Sequence, residues 1–303
     1  MLSRAARVPA LVSRAPSSLP ADAAELGALY RYILEARHLV VLSGAGISTH
    51  SGIPDYRSPG GSYSKGHVPI KHAEFVGSDV ARRRYWARSF VGWQYFSRAE
   101  PNAAHHALAE LEQMGRLRAV VTQNVDGLHT AAGQRSVLDL HGRIDRVVCL
   151  QCGATSARAA LQSRLASANV AWARQREAAT PSELRADGDA ELSEAEVEHF
   201  AVPACEGCGD GVLKPDVTFF GGAIPPSITQ QAAETVAAAD ALLVVGSSLE
   251  VFSAFRLARA AAAACAPLLL LTNGPTRADE LATLRMRCDA AEVLPVIADA
   301  LRG

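Results

Sequence analysis

A chain of 303 residues that is 49% apolar and 20% charged carries enough apolar surface for one large core, or for a main domain with a smaller satellite. Its formal net charge of −1 gives no sign of a nucleic-acid surface. The longest uninterrupted apolar run, the 12 residues Ala260 to Leu271 with Pro267 inside it, is too short to cross a bilayer and is read as buried core. Neither nucleic acid nor membrane is an expected partner, and nothing in the chain speaks to oligomeric state.

The first 21 residues hold Arg4, Arg7 and Arg14, several Ser and Ala, and no acid before Asp22. That is transit-peptide composition, with a basic disordered tail as the alternative. The expectation is a transit peptide over residues 1–24, a mature chain from 25 to 303, and residence in the mitochondrial matrix. In that reducing compartment the six cysteines are not expected to pair as disulfides. Leu26, Leu29, Tyr30, Ile33 and Leu34 then repeat at helical spacing and predict an amphipathic helix.

Short apolar runs at His38 to Leu42, Arg118 to Thr122, Ala241 to Val245 and Pro267 to Leu271 read as buried parallel strands. Helical patterns such as Ala103 to Met114 and Ser227 to Ala239 lie between them. The alternation predicts a Rossmann-like, doubly wound α/β fold whose ligands bind at the carboxyl ends of the strands. The unusual polar residues stand at those ends: Gly44-Ala45-Gly46, Gln123-Asn124-Val125-Asp126, Gly246-Ser247-Ser248 and Asn273-Gly274. One interval, about 147 to 212, breaks the alternation and is read as a smaller inserted module. Its polar run "TPSELRADGDAELSEAE" is expected to be partly mobile.

Cys149-x-x-Cys152 and Cys205-x-x-Cys208, each followed by Gly, bound that interval, with 52 residues between them. Two such knuckles predict one tetrahedral Zn²⁺ held by four thiolates, with the glycines letting backbone amides turn toward sulfur. A closed four-thiolate site leaves no position for water, so the metal is structural. A redox role would instead need one pair at a helix start after a strand. Cys265 is expected to be a small buried hydrophobe.

Gly44-x-Gly46 alone is weak evidence for a phosphate, because any tight strand-to-helix turn needs small residues. Its context suits a pyrophosphate at exposed amides of a helix N-terminus, with the Ser48 hydroxyl as a further donor. The acid that a dehydrogenase places on the ribose about twenty residues later is missing, which disfavours hydride transfer. "TQNVDGLH", Thr122 to His129, puts two amides and an acid within four residues at a strand end, as either a functional loop or a solvated turn. His141, after "SVLDL" and eight residues before the first knuckle, is either structural or catalytic.

Taken together, "GAGISTHSGIPDYRS", "TQNVDGLH", "LHG", the two Cys-x-x-Cys pairs, "LKPDVTFFG" and "GSSLEV" resemble, in order, the motifs of the sirtuin family. The resemblance runs from about Leu26 to the C-terminus. "YWARSFVGW", "GPTRADEL" and the leader bring the chain closest to the mitochondrial class II branch, the fourth vertebrate type. The resemblance implies an NAD-dependent protein lysine deacylase that converts acyl-lysine and NAD to lysine, nicotinamide and O-acyl-ADP-ribose. Acyl-lysine-bearing mitochondrial proteins are the implied partners, and acetyl, lipoyl, biotinyl and branched acyl groups are all open. Protein mono-ADP-ribosylation is the alternative, and a zinc-stabilised NAD sensor without turnover is a third reading.

By the same resemblance His141 is the catalytic base. Gly44, Ala45, Gly46, Ser48, Asp55, Tyr56 and Arg57 contact NAD from the first loop, and Gln123, Asn124, Val125 and Asp126 from the second. Gly246, Ser247, Ser248, Thr272, Asn273, Gly274 and Cys288 meet the adenosine side. The substrate backbone would pair between Val217 to Phe220 and Leu249 to Phe252. The chain departs from the family at Gly222, where an acid is usual, at Tyr56, where Phe is common, and at Asn273, one place late. Tyr85-x-x-Arg88 has the spacing of the pair that holds acidic acyl groups in the desuccinylase branch, but stands too far from Pro101-Asn102 to take that role.

Overall fold

The computed structural model describes residues 22–175, 187–190 and 192–302. The expected leader therefore lies outside the described residues except for 22–24, as do residues 180–186 and 191 of the polar run. From Ala23 to Glu35 the chain is a helix, begun by Asp22, whose carboxylate accepts the Ala24 amide at 3.0 Å. Leu26, Leu29, Tyr30 and Ile33 are buried on its inner face, as the spacing requires.

Six parallel strands form the main sheet in the order β3-β2-β1-β7-β8-β9. In chain order these are β1 Leu39–Ser43, β2 Ala119–Thr122 and β3 Val137–Asp139, then, after the smaller sheet, β7 Ala241–Val245, β8 Leu268–Leu271 and β9 Leu284–Met286. Side chains alternate between two cores. Val41, Val120, Leu243 and Leu269 face the helices Ala23–Glu35, Ala103–Gln113 and Ala290–Arg302. Val40, Val121, Leu242 and Leu268 face Pro226–Ala237 and Phe252–Ala263. Helices on both faces make the central strands apolar except at Ser43 and Thr122, which end β1 and β2. The apolar run Ala260 to Leu271 divides between a helix end and β8. Ala261 and Leu268 to Leu271 are buried, but Ala263 and Ala264 are exposed.

Cys265 corrects its expectation. It follows the helix Phe252–Ala263 with φ at 60°, in the left-handed conformation that turns a chain out of a helix, and its side chain faces solvent.

A smaller antiparallel sheet, β5-β4-β6, is built from β4 Gly142–Cys149, β5 Thr155–Ala157 and β6 Leu213–Val217. Its core, with Val147, Leu161, Leu165, Phe200 and Leu213, also takes in Phe75, Tyr85, Trp86 and Phe90. These come from the helices His72–Gly77 and Asp79–Phe96, which the interval bounded by the cysteines omits. Trp86 Nε1 donates to the Leu213 carbonyl at 3.0 Å and locks the two excursions together. No helix of the described residues is long and apolar enough to cross a membrane.

Candidate functional site

Strand order reverses on either side of β1, whose neighbours are β2 and β7, so a crevice opens where the loops after these strands diverge. The glycines after β1 let the turn lie against the turn after β7. A Cβ on Gly44 would sit 2.7 Å from the Ser247 Cβ, and one on Gly46 would sit 2.8 Å from the Gly246 carbonyl oxygen. The amides of Gly44 and Gly46 donate to the carbonyls of Val245 and Gly246 at 3.0 and 2.8 Å. They are committed to joining the strands, contrary to the expectation that the turn leaves its amides exposed. The chain continues as a 3₁₀ turn, Ala45–Ser51, and not as an α-helix.

A cavity of about 900 Å³ occupies the crevice and runs toward the smaller sheet. Its walls bring together the residues singled out in the sequence: Gly44, Ala45, Gly46, Ser48, Asp55, Tyr56, Arg57, Gln123, Asn124, Val125, Asp126, His141, Gly246, Ser247, Ser248, Thr272, Asn273, Gly274 and Cys288. Toward the smaller sheet the lining turns apolar, with Ile70, Phe96, Ile144, Val217 and Phe219.

The polar groups of the first two loops hold one another. Ser48 Oγ donates to Asp126 Oδ2 at 2.7 Å, so this hydroxyl is engaged within the protein and not presented as a free donor. Asn124 Nδ2 reaches the Gly44 carbonyl and Ser48 Oγ, both at 3.1 Å. Gln123 Nε2 donates to the Ser43 carbonyl at 3.1 Å and to Ser247 Oγ at 2.8 Å, tying the ends of β1, β2 and β7. Burial pushes the Asp126 carboxyl above the usual range, against the Leu128 amide, the Ser48 hydroxyl and Arg143, which all lower it. Asp55 Oδ1 accepts from the Ser58 amide at 2.9 Å and from Ser58 Oγ at 2.7 Å, which folds the loop back on itself. Arg57 lies over the Tyr63 ring, 5.2 Å from its centre. Desolvation, with Asp187 next, holds the Tyr56 phenol well above its ordinary range. Cys288 is buried, and burial pushes its thiol up to about 12, so it is an inert wall.

His141 leaves the end of β3 where the polar and apolar parts of the cavity meet. Its Nδ1 is 3.0 Å from the Gln123 carbonyl oxygen, which only accepts, so Nδ1 carries the proton and Nε2 the lone pair. Ser253 Oγ stands 2.9 Å from Nε2. Burial lowers the imidazole below its ordinary value, with the Gln123 contact opposing, so the neutral form dominates at neutral pH. His129, the other histidine of this region, is a framework residue. It is buried with Nε2 2.8 Å from Ser43 Oγ, and burial pushes it down to about 3.

Two residues of this arrangement escape the sequence reading. Ser253 lies five positions beyond "GSS" and is brought to His141 only by the helix start at Phe252. Asn102 caps the helix Ala103–Gln113 and turns its amide to the Ile47 carbonyl at 2.7 Å and Ser51 Oγ at 2.9 Å, holding the first loop. The signal for Asn102 was its place as a helix cap, Asn immediately before an amphipathic run. Tyr85 also lines the cavity, whereas Arg88 turns Nη2 to the Leu192 carbonyl at 3.0 Å.

At the far side of the smaller sheet the sulfurs of Cys149, Cys152, Cys205 and Cys208 all lie within 4.8 Å of one another. Tetrahedral zinc with Zn–S bonds of about 2.3 Å holds its sulfurs about 3.8 Å apart. Cys149 and Cys208 are 3.7 Å apart and Cys152 and Cys205 are 3.8 Å apart, so the four thiolates fit a structural Zn²⁺. The amides nearest sulfur are inside the knuckles, Cys152 N at 3.5 Å from Cys149 Sγ and Gly207 N at 3.3 Å from Cys205 Sγ. The glycines that follow, Gly153 and Gly209, adopt φ of 72° and 88° and return to the first cysteine's carbonyl.

Residues 44–253 match the model of the Sir2 family. The human mitochondrial NAD-dependent protein lipoamidase sirtuin-4 is 47% identical over 284 residues, covering 93% of this chain and 88% of its own. NAD-dependent protein deacetylase 2 of Bradyrhizobium diazoefficiens is 48% identical over 265 residues, covering 87% and 94%. Among solved structures, one from work on the mechanism and regulation of Sir2 enzymes aligns with a TM-score of 0.71 at 33% identity, covering 92% of this chain and 98% of its own. A Sir2 complex with p53 peptide and NAD⁺ aligns with a TM-score of 0.66 at 28% identity, covering 88% and 94%.

Proposed function

The chain belongs to the Sir2 family, and from that membership we propose that it is an NAD-dependent protein lysine deacylase whose general base is His141. The observation that carries the reading is the neutral imidazole, fixed in one tautomer by Gln123 and standing between the strand-end crevice and an apolar chamber. NAD supplies the electrophilic ribose and the nicotinamide leaving group. The crevice suits an extended dinucleotide, because it opens at the strand-end switch point and its cavity runs on past the polar loops.

Within this reading Nε2 of His141 takes the ribose hydroxyl proton while Nδ1 stays bound to the Gln123 carbonyl. The first loop, the second loop and the ends of β7 and β8 hold NAD, through the residues the resemblance implies, with Cys288 behind them. The acyl-lysine enters along Val217 to Phe220, its acyl chain toward Phe96, Ile144 and Tyr85. A lipoyl group matches the name of the human relative, and the apolar character of that end suits lipoyl and biotinyl chains alike. The chain divides into a transit peptide, residues 1–24, and a catalytic domain from residue 25 with the zinc module, about 147–212, inserted in it. The leader composition and the mitochondrial relatives support residence in the matrix.

The test is the purified protein with NAD and a panel of acyl-lysine peptides, followed by mass spectrometry. Free lysine, nicotinamide and O-acyl-ADP-ribose in equal amounts are expected. Transfer of ADP-ribose to protein without acyl removal would overturn the proposal in favour of the mono-ADP-ribosyltransferase.

A further inference from the structure

We propose that Lys214 is a positioning residue for the acyl-lysine peptide, its ammonium fixing the segment Val217 to Phe220 beside His141. This rests on the deacylase reading and adds a residue to it. Lys214 lies on β6 and is 7% exposed, an uncommon place for lysine. Its partners are two carbonyl oxygens and a ring face. Nζ donates to the Pro215 carbonyl at 2.9 Å and to the Val217 carbonyl, and lies 4.6 Å from the centre of the Phe219 ring.

The local ladder explains the need. Between Asp216, opposite Arg143, and Pro215, opposite Val147, the register with β4 shifts, and Pro215 has no amide to donate. The ladder is therefore interrupted at Pro215, just before Asp216 and Val217 pair again with Arg143 and Gly142 at the cavity. Lys214 reaches forward along its own strand and donates to the carbonyls of Pro215 and Val217, which ties the two sides of the interruption together. One residue further, the Thr218 amide donates to the His141 carbonyl at 2.7 Å, so the segment that Lys214 steadies ends on a fixed point beside the histidine. On the other side Phe219 packs on Phe75 and Tyr85, each ring centre 5.2 Å away, and the Phe220 carbonyl accepts the His72 amide at 2.9 Å. A single ammonium thus touches both the carbonyl and the aromatic ring that orient this wall. An aliphatic side chain would fill the space with no desolvation cost, so what the charge contributes is the geometry of that wall.

Burial lowers the ammonium to about 8, with Asp216 opposing. The charged and titratable groups around it are Asp216 on its own strand, Arg146 on β4 at 3.3 Å from Asp216, and Tyr85 against Phe219.

The experiment compares wild type with Lys214→Met, which keeps the unbranched stem, using a capped acyl-lysine peptide free of titratable groups. Two charge-assisted hydrogen bonds are lost, so the peptide KM should rise about tenfold or more, with kcat within about threefold and the NAD KM unchanged. An unchanged peptide KM, or parallel loss of kcat, NAD affinity and melting temperature, would overturn the proposal. Should the variant fail to fold, wild type decides. Its peptide KM should climb as pH rises through about 8 while the NAD KM stays flat, and a peptide KM level to high pH refutes the role. Absence of turnover by wild type on every acyl-lysine peptide would instead refute the deacylase reading itself.

Discussion

The hydroxyl of Ser253 and Nε2 of His141 are 2.9 Å apart, and the hydroxyl is the donor because Nδ1 already holds the ring's proton for Gln123. The base of the proposed reaction thus rests with its lone pair covered, and the cover comes from a helix that starts at Phe252, far away in sequence.

His141→Ala should reduce deacylation by about 10²–10⁴-fold, the usual contribution of a general base. NAD affinity, measured by titration, should stay within a few-fold, since no cofactor-binding role is assigned to the ring. In the proposed mechanism the wild-type rate depends on the neutral imidazole. Because burial lowers its pKa, the neutral form persists below the ordinary histidine range, and the acid limb of kcat/KM should lie below pH ~6.5. An acid limb above that value, or loss of less than tenfold in the variant, contradicts the assignment.

Ser253→Ala tests the cover. A donor on Nε2 stabilises the neutral ring, so its removal should move the acid limb upward in pH while leaving protein stability nearly unchanged. The pH profile of the variant, set beside that of wild type, reads this directly.

Asp126→Asn should separate stability from activity. The folded carboxyl has a raised pKa, so the folded state binds its proton more tightly than the unfolded chain does. The stabilising form is the protonated one, present at low pH and lost as pH rises through the raised pKa, and the neutral amide imitates it. The melting temperature at neutral pH should rise, by roughly 2–4 °C for each ~1 kcal/mol recovered. Turnover should fall. A lower melting temperature at neutral pH would show that the carboxylate charge is stabilising instead.

Cys205→Ser should lower zinc content and thermal stability together, because thiolate zinc contributes ~10–16 kcal/mol of folding free energy in finger peptides. Metal analysis and a melting curve on the same sample suffice. Full stability in the metal-free variant would contradict a structural role.

The fold was legible because both faces of the sheet are covered, which makes the strands unbroken apolar runs. Ala241–Val245 is bounded as its apolar run is, and the other three predicted strands end within one residue of expectation. The resemblance carried much of the site, since Gln123, Asn124 and Ser247 stand at strand ends within its motifs. What local sequence cannot express is which polar atoms satisfy one another. Ser48 faces Asp126, and Gly44 and Gly46 give their amides to the end of β7 and the turn after it, because strands distant in sequence are neighbours in space. Cys265 was misread for a related reason: an apolar run hides the chain reversal inside it, and the reversal turns the thiol outward.

The lock between Trp86 and Leu213 sets an order of events during synthesis. Their 127-residue separation means that the helix Asp79–Phe96 exists before the strand it packs on has been made. At typical elongation rates of about 5–20 residues per second, the interval is roughly 6–25 s. Until its end Tyr85, Trp86 and Phe90 lack β6 and the lock to Leu213, and β1 waits still longer for β7. The nascent chain therefore displays an aromatic helix face, a binding surface for holding chaperones, until most of its length has emerged.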